Sequence, residues 1–176
     1  MESAATSDDL WSFAVRTYAR EGVAAACLRL QDDHGLDVDV VLGCLWHARR
    51  GGTLDEAQLA SMLAAAEPAR RHIEQVRSVR RAVGSDREHE PRWQPTYERL
   101  RDAELEAERV ELAGIETALR EAPRSTTAGP PASLALASLQ TYASRFAPPG
   151  DDQTRHRLLR DLVGLVLGDS EPPRAV

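Results

Sequence analysis

The segment 31–39 concentrates residue types that could perform metal or acid–base chemistry. It holds four carboxylates and one imidazole: Asp32, Asp33, His34, Asp37 and Asp39. Hard cations such as Mg²⁺ and Ca²⁺ require several oxygen ligands that converge on one point. However, the glycine-centred calcium-loop pattern is absent, and Asp32 and Asp33 fall where a helix dipole disfavours negative charge. The pattern favours a simpler alternative, in which Asp37 caps a helix while Asp33 and His34 face solvent.

A second candidate is the arginine-rich segment 70–81. Five arginines against one glutamate give it a local charge of +4, and such a stripe could bind phosphates. The candidate anion- or partner-binding residues are Arg70, Arg77, Arg80 and Arg81. The whole chain carries 22 basic and 28 acidic residues, and the segment lacks interleaved aromatic residues, so nucleic acid is disfavoured. We expect these arginines to pair with the acidic stretch 104–116 or with a partner protein; an anionic ligand is the alternative.

The two cysteines, Cys27 and Cys44, offer weaker chemistry. With His47 they could bind zinc or form a nucleophile–base pair, but a structural zinc site has four ligands, usually in two closely spaced pairs. We therefore expect small core residues and reduced thiols in a cytoplasmic protein. A glycine-rich phosphate loop, a serine nucleophile elbow and a paired Cys-x-x-Cys are all missing, which disfavours the common enzyme classes. No cofactor is expected.

The elements that carry these residues are helical. Ala and Leu dominate and no run of alternating β-branched residues occurs, so the sequence predicts an all-α bundle of six to seven helices with a long central antiparallel pair. The expected helices span about 8–21, 23–33, 38–50, 54–83 with a kink or break at Pro68, 93–121, 134–146 and 152–167. The third is apolar almost all round and should occupy the centre of the core.

Local signals set the expected helix ends. Ser7, Asp37 and Ser133 are predicted N-caps, and Thr53 with Glu56 has the spacing of a capping box. Pro68 should kink or break its helix, Gly84 should end the next one, and 85–92 should be a loop. His72 is expected on the apolar face of its helix, buried or at the edge of that face, with a hydrogen-bond partner. The three tryptophans are expected to anchor the core: Trp11, Trp46 and Trp93.

Composition bounds the overall organisation. No stretch reaches the roughly 18 uncharged apolar residues of a membrane span, so a soluble protein is expected. A chain of this length suits one domain over 1–176. Its N-terminal half would be 8–84 and its C-terminal half 93–169, with a flexible loop at 123–131.

Several short motifs in the N-terminal half occur together in a known pattern: Leu10-Trp11, Ala26-Cys27-Leu28, Leu30-Gln31-Asp32, Gly35, Asp37-Val38 and Cys44-Leu45-Trp46. They resemble the bacterial domain of unknown function 2390 family, over about residues 10–83. Asp39 stands where the family pattern has asparagine, and His72 where a tryptophan is expected. The resemblance implies a helical, cytosolic, bacterial protein and supplies no activity.

These features lead to three functional hypotheses. Low chemical content and long amphipathic helices favour a non-enzymatic interaction or regulatory module, which would be a homodimer or bind a protein partner. The alternative is a metal-dependent enzyme or ligand binder that uses the acidic turn 31–39. A second alternative is an anion or nucleic-acid binder that uses the helix 70–81. Enzymatic activity stays open, with its absence favoured.

Overall fold

The computed structural model describes residues 9–122 and 128–168, which form seven α-helices and contain no strand. The helices are α1 (Leu10–Tyr18), α2 (Val23–Asp32), α3 (Val38–Arg49), α4 (Glu56–His89), α5 (Gln94–Glu121), α6 (Pro131–Phe146) and α7 (Asp152–Leu167). A short 3₁₀ turn, Pro91–Trp93, joins α4 to α5. The all-α fold is confirmed. None of these helices combines the length and apolar composition needed to cross a membrane.

Helix α3 lies at the centre of the core, as its composition predicts. Nine of its twelve residues are buried, and Trp46 is 1% exposed. It contacts α1, α2, α4, α5, α6 and α7, and all seven helices contribute to one apolar cluster. Helix α3 therefore contacts both long helices, α4 and α5, although α5 is distant from it in sequence.

The long pair α4 and α5 is antiparallel. Arg80 pairs with Glu104 and Arg77 with Glu108, so residue numbers fall along one helix as they rise along the other. Helix α4 continues through Pro68 and Gly84 to His89, so a break at Pro68, an end at Gly84 and a loop that begins at residue 85 are all wrong. A kink at Pro68 stays a prediction. Contacts with α5 outweigh the local signals.

The caps follow the predictions only in part. Asp37 caps α3 and accepts a hydrogen bond from the Asp39 amide at 2.9 Å, as expected. Helix α1 is capped by Asp9, whereas the predicted cap Ser7 lies outside the described residues. The capping box of α4 is formed by Asp55 with Gln58, so the prediction of Thr53 with Glu56 is wrong.

Thr53 has a different role because its hydroxyl lies 3.3 Å from that of Ser138 on α6. Helix α6 begins at Pro131 rather than at a Ser133 cap. Within the predicted loop 123–131, residues 123–127 lie outside the described part of the chain. The helices on either side of that loop belong to the same apolar cluster.

Two predictions of burial are wrong. His72 is exposed, because the buried face of α4 runs through Met62, Ala66 and Ile73 instead. Trp93 is 37% exposed in the turn before α5. The local pattern could not show which side of a long helix its neighbour would cover.

Gly43 allows α3 to pack tightly against Ile115 of α5. A Cβ atom there would lie 2.8 Å from Ile115 Cγ2, a branched and rotationally stiff side chain. We expect Gly43→Ala to lower the free energy of unfolding by about 1–2 kcal/mol, because overpacking outweighs the gain in helix propensity. Urea unfolding measures this. Gly164→Ala is the matched control. Gly164 is exposed on α7, and a Cβ atom there would meet no heavy atom within 4 Å outside its own stretch of helix, so this substitution should raise the free energy of unfolding. A gain in both variants would contradict the prediction.

Candidate functional site

A cleft of about 1150 Å³, here called the acidic cleft, opens between α1, the α2–α3 turn, α4 and α5. Part of its wall is apolar and includes Trp11, Val15, Leu42, Ile73, Leu105 and Leu112. It is also lined by six carboxylates and two guanidinium groups: Asp37, Asp39, Glu67, Glu74, Glu108, Glu111, Arg70 and Arg77. A cavity of this size can hold a small organic molecule.

Three of these carboxylates, Asp37, Asp39 and Glu111, form what we call the carboxylate cluster. One oxygen from each lies within 4.8 Å of the other two. Asp37 is the N-cap of α3 and Asp39 lies in its first turn, where the helix dipole favours negative charge. Glu111 comes from the middle of α5 and is 2% exposed. The cluster thus joins the start of one central helix to the buried face of another.

Glu111 is the unusual member of the cluster. Its Oε1 atom is buried, and no group in 9–122 or 128–168 donates a hydrogen bond to it. Burial, followed by the charges of Asp37 and Asp39, raises the pKa of Glu111 to about 10. Burial and the neighbouring carboxylates likewise raise the pKa of Asp39 well above its ordinary value. The cluster therefore crowds like charges where little water compensates them.

Two arginines of α4 lie beside the cluster, and only one of its three carboxylates forms an ion pair with them. Arg70 Nε lies 2.8 Å from Asp37 Oδ2, and Arg77 Nη2 lies 3.0 Å from Glu108 Oε1. The backbone amide of Asp37 donates a hydrogen bond of 3.0 Å to the Tyr142 hydroxyl. These contacts fix the position of Asp37, but among the described residues Asp39 and Glu111 have no ion pair.

The acidic turn divides into two groups. Asp37 and Asp39 line the cleft, whereas Asp32 and Asp33 are exposed. Asp32 lies 3.5 Å from Arg81, and Asp33 lies 3.9 Å from Arg29. His34 is buried, so the expectation that it faces solvent is wrong, and it does not line the cleft. Only two of the five predicted metal ligands therefore come together.

All four predicted anion-binding arginines have ion pairs within the chain. Arg70 pairs with Asp37 and Arg81 with Asp32. Arg77 and Arg80 share the buried carboxylate of Glu104. This is the intramolecular pairing that the charge pattern favours. Binding of an anion by these arginines stays a prediction.

Sequence reasoning missed Glu111 because it treated the glutamates of 104–116 as one acidic surface. Glu111 immediately precedes Leu112 and lies one turn before Ile115, on the buried side of α5. A glutamate among the apolar positions of an amphipathic helix was the available signal. Its partners on α3 could not be read from local sequence.

The cysteines are core residues, as expected. Cys27 and Cys44 are both fully buried, and burial raises the pKa of each thiol to about 12. Nucleophilic chemistry requires the thiolate, which these positions disfavour. We expect Ellman's reagent at pH 8 to modify the native protein at least about 100-fold more slowly than the urea-unfolded chain. Equal rates would contradict the buried positions.

Comparison with known proteins gives a family without an activity. No curated protein and no solved structure matches the chain. A family model described as "Protein of unknown function (DUF2390)" matches residues 9–115, a segment that contains every residue lining the acidic cleft. It extends beyond the 10–83 of the sequence resemblance and includes Glu111. The match spans more than half of the 176 residues, and the chain therefore belongs to the DUF2390 family.

Proposed function

We propose that this protein binds a small positively charged ligand in the acidic cleft. The observation that carries the proposal is Glu111 Oε1, a buried carboxylate oxygen without a donor, placed beside the carboxylates of Asp37 and Asp39. Leaving such an oxygen unpaired costs roughly 1–3 kcal/mol or more, which a bound cation would offset. A cost of this kind is typical of a site shaped for a ligand.

The charge of the lining supports a cation over an anion. Six carboxylates face two guanidinium groups in the cleft, and both Arg70 and Arg77 already contact carboxylates. An anion would have to compete with these pairs and enter a negative field, whereas a cation is attracted by it. This favours the ligand-binding hypothesis for the acidic turn, with Glu111 added to it.

The interaction-module hypothesis has less support. It would use exposed apolar side chains, but Val15, Tyr18 and Leu105 line the acidic cleft, where they can contact a ligand. Five other large exposed apolar residues of the described chain lie on five different helices: Leu28 on α2, Val79 on α4, Val110 on α5, Phe146 on α6 and Leu165 on α7. We therefore rank ligand binding first.

The test is thermal unfolding of chelator-treated full-length protein with four separate probes: MgCl₂, CaCl₂, MnCl₂ and hexylammonium chloride, all at matched ionic strength. At least one cation should raise the Tm of the wild type but not that of Glu111→Gln. Glu106→Gln is the matched control, because Glu106 is exposed on the same helix and does not line the cleft; it should keep the response. No response to any cation, or a response only to sodium hexanoate, would overturn the proposal.

A further inference from the structure

We infer that the cation is a divalent metal ion held directly by Asp37, Asp39 and Glu111. The inference rests on the proposed function and names its ligand class. Three oxygens no more than 4.8 Å apart can all lie within about 2.8 Å of one centre. Oxygen ligands lie about 2.3–2.6 Å from Ca²⁺ and about 2.0–2.1 Å from Mg²⁺, so side-chain shifts of up to about 0.5 Å for Ca²⁺ and about 0.8 Å for Mg²⁺ complete the contacts.

An organic ammonium group could contact the same three oxygens, but the charge balance distinguishes it from a divalent ion. Arg70 offsets Asp37, and Arg77 contacts Glu108. Asp39 and Glu111 are the two cluster members without a cationic partner among the described residues. When ion binding displaces their protons, a divalent ion supplies the two positive charges that the ionised carboxylates require, whereas one ammonium group supplies a single charge. Carboxylate oxygens are also the ligands preferred by Ca²⁺, Mg²⁺ and Mn²⁺.

The surrounding contacts suit metal ligands. Asp37 Oδ1 accepts the capping bond from the Asp39 amide at 2.9 Å, and Oδ2 contacts Arg70. Each carboxylate oxygen has two lone pairs, so these bonds orient the group and leave lone pairs for an ion. Outer contacts of this kind hold ligand side chains in place at metal sites. The large cleft leaves room for water or a further oxygen ligand to complete the coordination.

The experiment titrates Mn²⁺ into chelator-treated full-length protein, with free Mn²⁺ measured by electron paramagnetic resonance and Ca²⁺ added as competitor. We expect one Mn²⁺ per chain. Glu111→Gln and Asp39→Asn keep the side-chain shapes and should each weaken binding at least about tenfold. Asp32→Asn and Asp33→Asn are matched controls, since both remove an exposed carboxylate from the same turn outside the cluster. These controls should bind as the wild type does.

The outcomes separate this inference from the proposed function. Binding that is lost in the Asp32 or Asp33 variants but kept in the Glu111 variant would overturn the metal site, as would the absence of bound Mn²⁺ and Ca²⁺. A Glu111-dependent Tm increase with hexylammonium alone would keep the cationic-ligand proposal and reject the metal. Circular dichroism of each variant confirms that it is folded, so lost binding reports the site.

Discussion

Glu111→Gln is expected to make the metal-free protein more stable, although it alters a residue that is 2% exposed. The glutamate is buried beside two other carboxylates, and this raises its pKa to about 10. Keeping it in place therefore costs folding free energy at neutral pH. Glutamine has the same shape and no charge, and its amide can donate a hydrogen bond to Asp37. We expect a gain of about 2 kcal/mol at pH 7.5, or a Tm higher by about 4–8 °C.

The effect should depend on pH with a definite sign. Below the ordinary pKa of 4.5, the Glu111 carboxyl group is protonated in both the folded and unfolded chains. Between pH 4.5 and about 10 the unfolded group is ionised while the folded group holds its proton, so wild-type stability falls as the pH rises. Glutamine does not titrate. The stability difference should therefore be small near pH 4.5 and grow towards pH 8.

Groups from two other helices face Glu111 and remain in the variant. They are Asp37 and Asp39 at the start of α3 and Arg70 on α4. Asp37 in turn interacts with Glu108 on α5 and Tyr142 on α6. Burial raises the pKa of Glu108 as well. A comparison of wild type with variant cancels the titrations that the two proteins share.

Thermal and urea unfolding between pH 5 and pH 8, in chelator, measure this difference. Glu106→Gln, on the exposed side of α5, is the control and should change stability little at any pH. A Glu111→Gln protein that is less stable than the wild type at pH 7.5 would show that the glutamate is well satisfied in the metal-free state. The main argument for a bound cation would then fail.

The sequence predicts the helices better than their interruptions. Helical periodicity alone identifies α3 as the core helix, because its apolar residues surround the axis. The same reasoning fails at Pro68 and Gly84, since it weighs each residue within its own turn. Packing against α5 extends from Ala65, which lies against Gly114, to Gly84, which lies against Tyr97, and it outweighs both signals. A local signal predicts a helix end well only where no partner helix covers it.

The candidate site shows a similar limit. The acidic turn directs attention to Asp37 and Asp39 because the local density of carboxylates is high. The third member, Glu111, arrives through the crossing of α5 over α3, and a contact between elements far apart in sequence leaves no local pattern. Asp32 and Asp33 look equivalent to Asp37 in the sequence. They differ in structure because α2 ends before the chain turns inward at Leu36, which is 1% exposed.

Asp37→Ala is expected to be strongly destabilising, whereas Asp37→Asn should be tolerated much better. Asp37 has two structural roles besides its place in the cluster. Its Oδ1 accepts the capping bond of α3, a contact of the kind worth about 1 kcal/mol, and its Oδ2 pairs with Arg70. Alanine removes both contacts and leaves a partly buried guanidinium group without its nearest carboxylate; the side chain of Glu67, 4.0 Å from Arg70, is a distant replacement.

We therefore expect Asp37→Ala to lower the free energy of unfolding by about 2–3 kcal/mol, and Asp37→Asn by about 1 kcal/mol, since the amide oxygen can still cap α3. Urea unfolding measures both. Asp151→Ala is the matched control, because Asp151 caps α7 from an exposed position and no arginine of the described chain forms an ion pair with it. Asp151→Ala should lower the free energy of unfolding by less than Asp37→Ala does. The difference between the two losses measures the contribution of the ion pair between Asp37 and Arg70. Equal losses in the two alanine variants would mean that the ion pair contributes nothing and that Asp37 stabilises the fold as a cap alone.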